Sequence, residues 1–170
     1  MAANRARFFA RGFVALLCAL VALTGCQRNP YDAKISARHD RGFELWLSGE
    51  SGSFSPAEIK DLNEARQQIK LAAMTETPGL SSAELDVAVY AQINGHTVRD
   101  VLLRGLEIQI DRLAKEIARL EERENRYRQV DPTRLEADAR EFLTGFTERL
   151  AQRRENLQKL NERALLVRTR

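Results

Sequence analysis

Residues 97–128 read TVRDVLLRGLEIQIDRLAKEIARLEERENRYR, and their spacing decides the fold. Leu106, Ile110, Leu113, Ile117, Leu120 and Tyr127 recur at alternating intervals of four and three, interrupted only by Glu124. That is the apolar seam of a coiled coil over about three heptads. Asp111–Lys115, Arg112–Glu116, Glu122–Arg126 and Glu124–Arg128 stand four apart, the spacing at which opposite charges meet on a helix surface. Thr97 reads as the cap, with Asp100 where a carboxylate favours a helix N-terminus.

Downstream, Asp131-Pro132 interrupts the pattern and serves as cap and first residue of the next helix. Leu135, Ala139, Phe142, Phe146, Leu150, Leu157, Leu160, Ala164 and Val167 form a second apolar stripe. So short a turn between two long helices requires them to run antiparallel. The expectation is a hairpin over residues 97–168, about 48 Å long at 1.5 Å per residue for its first arm. The seam can be closed inside the hairpin or by another chain. Leu102, Leu103, Ile108, Leu165 and Leu166 lie off the main stripe and widen the apolar face.

Upstream, Ser55-Pro56-Ala57-Glu58 and Ser81-Ser82-Ala83-Glu84 are capping boxes. The first opens a helix marked by Ile59, Leu62, Ile69 and Ala73, which Thr77-Pro78-Gly79 ends. The second opens one marked by Leu85, Val89 and Ile93, closed by Asn94-Gly95. Phe43, Trp46 and Leu47 suit one amphipathic helical turn, although Phe43, Leu45 and Leu47 also alternate like a strand. Residues 48–53 read as a flexible loop, and residues 27–41 as a polar tether. The fold class is therefore all-α, with two short helices packed on a long antiparallel coiled-coil-like hairpin. Its domain occupies residues 42–170.

The first 25 residues are of another kind. A basic stretch with Arg5, Arg7 and Arg11 precedes the uncharged apolar run 12–23. That is a secretory signal peptide, and its apolar core is too short to span a bilayer, which takes about 20 residues. Leu23-Thr24-Gly25-Cys26 follows directly and resembles the lipobox of bacterial lipoproteins at all four positions. The resemblance covers residues 1–26. It implies removal of residues 1–25, a diacylglyceryl group on the Cys26 thiol and acylation of the new amino terminus. It also implies a membrane-lipid partner, because two or more acyl chains anchor stably. Gln27, where an Asp would favour retention in the inner membrane, implies an outer-membrane position facing the periplasm.

Three of the 27 basic side chains lie in residues 1–25, which leaves 24 against 24 acidic ones. The overall basic balance thus belongs to the signal, and nothing in it calls for nucleic acid. Residues 27–96 are acidic by three charges and residues 97–170 basic by three. Cys18 leaves with the signal, so Cys26 is the one remaining cysteine and no internal disulfide can form.

Catalytic patterns are scarce. His39 and His96 lack the companions of a metal site and read as loop histidines. Glu121, Glu122, Glu136, Asp138 and Glu141 stand among Arg119, Arg123 and Arg140, as on a salt-bridged surface. No phosphate loop or nucleophile elbow occurs. Ile93-Asn94-Gly95-His96-Thr97-Val98 reads as a link whose Asn-Gly is needed for backbone geometry. Arg149, Arg153 and Arg154 form a basic patch, with Arg163, Arg168 and Arg170 near the helix end. The expectation is a lipid-anchored, non-enzymatic scaffold or interaction module with an envelope protein as partner, without cofactor or metal. The alternatives are a pilotin-like escort of an outer-membrane protein, on architecture alone, and an enzyme acting on cell-wall glycan.

Overall fold

The computed structural model describes residues 29–129 and 137–170. The expected signal peptide, Cys26, Gln27, the Asp131-Pro132 turn, Leu135 and Glu136 lie outside them, as do the side chains of Asp138, Ala139, Arg140, Glu141 and Phe142. The protein is all-α. Five helices follow in order among the described residues: α1 (Asp40–Glu50), α2 (Pro56–Glu76), α3 (Ser82–Ala91), α4 (Val98–Arg128) and α5 (Ala137–Thr169).

Each capping box forms as the sequence requires. Ser55, Ser81 and Thr97 each accept the backbone N–H three residues on, and Glu58, Glu84 and Asp100 reach back to the cap's own N–H. Asp100 therefore completes a full box and does more than face the helix dipole.

α4 and α5 are antiparallel. Arg153 meets Glu116 at 3.2 Å and Arg168 meets Glu107 at 3.7 Å, so later residues of α5 lie beside earlier residues of α4. The seam is closed inside the hairpin: Leu113, Ile117 and Leu150 are buried together, with Leu120, Leu157 and Leu160 against them. Glu124, the polar break, is buried in the same seam and accepts the Thr147 hydroxyl at 3.4 Å. Of the i,i+4 pairs, Asp111–Lys115 forms at 2.7 Å and Glu122–Arg126 also forms. Arg112–Glu116 does not, because Glu116 turns to Arg153 of the opposite arm.

A second, larger core fills the base of the hairpin, where α1, α2 and α3 pack on the start of α4. Phe43, Leu62, Ile69, Val89, Ile93, Val98 and Val101 are almost wholly enclosed there. α2 is no short helix; its 21 residues cross α4 so closely that a Cβ on Gly105 would lie 2.5 Å from the Ala65 Cα. Leu102 and Ile108, off the seam, are used in this second core.

Two further expectations are corrected. The segment from Asn29 on is not a free tether: Tyr31, Ile35 and Ala37 belong to the core, and Ile35 is 1% exposed. The loop at 48–53 is also more regular than its Ser-Gly composition suggests. α1 runs through Glu50, and Ser51–Ser53 adds a 3-10 turn that leads buried Phe54 under Trp46, 6.4 Å between ring centres.

The two glycines inside the long helices are expected to respond oppositely to alanine. Gly105→Ala must push α2 from α4 and should cost about 1–3 kcal/mol, as overpacking does. Nothing stands within 4 Å of a Cβ on Gly145, so Gly145→Ala should gain roughly 0.5–1 kcal/mol of helix propensity. Urea denaturation of both variants checks this, and equal shifts of the same sign would refute the packing assigned to Gly105.

Candidate functional site

The base of the hairpin gathers the polar side chains that the sequence scatters. Its frame is backbone pairing. Residues 33–35 lie antiparallel to residues 95–98: the Ile35 N–H donates to His96 O at 2.9 Å, Gly95 N–H to Ile35 O at 2.8 Å and Val98 N–H to Ala33 O at 2.9 Å. The Asn94 side chain accepts the Ala37 N–H at 3.1 Å. Gly95 sits at φ +81°, where a side chain is strained, so Asn-Gly serves as a docking turn as well as a link between helices.

Below this pairing, Tyr31 is clamped between the start of α2 and the residue that follows α5. Its hydroxyl donates to Glu58 at the start of α2 at 2.7 Å and accepts from the Arg170 guanidinium. Arg170 also meets Glu58 at 3.2 Å, and Asn29 donates its amide to Arg170 O at 2.6 Å. Arg99 bridges Asp32 at 2.9 Å and the Val167 carbonyl at 3.0 Å, satisfying a carbonyl of the last turn of α5. Burial raises the Tyr31 phenol, and its bond to Glu58 adds to the shift. Glu58 is lowered, first by the Ser55 backbone N–H and then by Tyr31. The opposite charge of the two halves of the chain is used here: Arg99–Asp32, Arg163–Asp61 at 2.7 Å and Arg170–Glu58 each set a cation of the second half on an acid of the first.

A second cluster joins α1, α2 and α3. Tyr90 donates to Asp40 at 2.6 Å, Arg66 meets Asp40 at 3.3 Å and Glu44 at 3.2 Å, and its guanidinium lies 4.7 Å from the Phe43 ring centre. The Tyr90 bond is the main cause that lowers Asp40. Burial, then that same bond, raises the Tyr90 phenol well above its usual range.

The other expected residues scatter. Cys26 lies outside the described residues. His39 caps α1 through Nδ1, which accepts the Gly42 N–H at 3.0 Å, so it is a structural cap and not a free loop side chain. His96 supplies its backbone carbonyl to the pairing. The basic patch is divided: Arg153 and Arg154 reach Glu116 and Glu121 across the hairpin, and Arg149 donates Nε to Gly145 O at 3.0 Å.

Among the described residues no cluster of three or more His, Cys, Asp or Glu is placed to hold a metal, and no helix is long and apolar enough to cross a membrane. Asp40, Glu58, Glu84, Asp100 and Glu155 are all held below the usual carboxylate range by hydrogen bonds. A general acid needs the opposite shift; Asp40, Glu58 and Glu155 instead pair with cations, and Glu84 and Asp100 close capping boxes. No protein-family model, curated protein or solved structure matches the chain.

Tyr90→Phe removes the donor that lowers Asp40 and should cost about 1 kcal/mol at neutral pH, a typical figure for a hydrogen bond to a half-exposed charge. Asp40's folded pKa is depressed, so its stabilisation is present above the unfolded value, about 3.9, and fades as pH falls through the folded one. The gap between wild type and variant should therefore narrow from pH 5 downward. Urea midpoints across that range check it, and a constant gap would contradict the pairing.

Proposed function

We propose that this chain is a lipid-anchored protein of the bacterial cell envelope. Its hairpin acts as a non-enzymatic scaffold, held base-down on the membrane and reaching outward to a protein partner. The carrying observation is the docked segment: Asn29 is bound to Arg170 at the hairpin base, and Cys26 stands only three residues earlier. That interval spans at most about 10 Å of extended chain. An acylated Cys26 therefore brings the base of the bundle to the lipid headgroups. The far end of the 31-residue α4 then stands roughly 46 Å from that base along the helix axis.

The reading gives the rigid base a purpose. A free tether would let the hairpin adopt any attitude; a docked one fixes which end faces the lipid. The closed seam also assigns the work of contact. Leu113, Ile117 and Leu150 are spent on holding the arms together, so an envelope protein would be met by the outer helix faces. Gln27 after the lipidated cysteine suits the outer membrane, periplasmic side.

Labelled palmitate fed to cells should enter the wild-type chain and not Cys26→Ala. Crosslinking from envelope membranes should then capture a discrete protein with wild type that the variant loses. An unlabelled wild type would overturn the anchor. A labelled wild type that captures nothing would overturn the scaffold and leave the anchor standing.

A further inference from the structure

The last turns of α5 keep two leucines in water. Leu165 is 61% exposed and Leu166 58%, while their neighbours Ala164 and Val167 pack inward. At 100° per residue the pair straddles the direction that points away from α4. The helix does not fray beneath them: Arg170 N–H donates to Leu166 O at 3.2 Å, and the Thr169 hydroxyl folds back on the Leu165 and Leu166 carbonyls at 3.2 and 3.1 Å. The leucines are thus held at fixed positions with their apolar side chains in water.

Their place in the molecule identifies what covers them. Arg170, one turn on, holds Asn29 through its carbonyl, and only residues 27 and 28 separate Asn29 from Cys26. Arg168 stands beside them with its side chain 59% exposed and its nearest carboxylate, Glu107, at a long 3.7 Å. An apolar pair flanked by an exposed cation, beside a residue held within about 10 Å of chain from an acyl group, matches the boundary between acyl chains and phosphate headgroups. We infer that Leu165 and Leu166 rest in the membrane interface, so that the hairpin leans on the outer face of the end of α5 instead of standing upright. The inference rests on the lipid-anchor reading and adds a second contact to it.

Once Cys26 is acylated and Cys18 removed, the mature chain offers no free thiol, so single cysteines can be introduced and labelled. Leu166→Cys, Leu165→Cys and, as a distal control, exposed Ala118→Cys would each carry a polarity-sensitive fluorophore. The lipidated protein goes into phosphatidylethanolamine–phosphatidylglycerol vesicles. The expected result is a blue-shifted emission and quenching by a lipid-borne quencher at 165 and 166, with a water-like emission at 118. Vesicle flotation with water-like labels at all three positions overturns the inference and leaves the anchor intact. A chain that does not float overturns both. A blue shift without vesicles that grows with protein concentration assigns the leucines to self-association and overturns the inference as well.

Discussion

Three backbone hydrogen bonds between residues 33–35 and the turn at 95–98 hold the base of this molecule in register. They turn a polar N-terminal stretch into part of the core. With them in place, Ile35 and Tyr31 are enclosed, and each such side chain contributes roughly 1.5–3 kcal/mol of burial. Through them Tyr31 reaches Glu58 and Arg170, and Asn29 reaches the end of α5. Without them the first and last described residues would have no reason to meet. The orientation of the hairpin relative to the proposed anchor at Cys26 would then be lost.

The two ends of the hairpin are stabilised by different physics. The distal part depends on the seam and on local terms. Its ion pairs, such as Arg154–Glu121 and Lys115–Asp111, are exposed and each contributes well under about 1 kcal/mol. Leu113, Ile117 and Leu150 must therefore carry it. The base is held by contacts far apart in sequence, with the Ala65–Gly105 approach setting the distance between α2 and α4. Long-range contacts of this kind are cooperative, so the base should open as a unit and the distal arms more locally.

Local rules made most of the helices legible. Ser55, Ser81 and Thr97 announce their helices because a cap and its reciprocal carboxylate lie three residues apart. The heptads announce the hairpin because its arms repeat one geometry. The segment 29–37 was illegible for the opposite reason. Tyr31, Ile35 and Ala37 have no periodic pattern, and their partners lie as far away as Arg170. Ser48 and Gly49 likewise read as loop, yet α1 continues through them because Phe43 and Leu47 are buried and draw the helix onto the core. At the base, single residues were visible without their relations. His39, Asn94 and Arg170 stood out one by one, and only the fold brings Arg170 to Tyr31 and Asn94 to Ala37.

Amide hydrogen exchange at residues 33–37 tests the account at its centre. The Ile35 amide, bonded to His96 O within a buried segment, should exchange as slowly as the Val98 and Val101 amides at the start of α4, and Ala37 should be protected through Asn94. Exchange of Ile35 and Ala37 at the rate of an unstructured chain, with α4 still protected, would show a free tether. It would contradict the docking on which the proposed membrane-facing base depends.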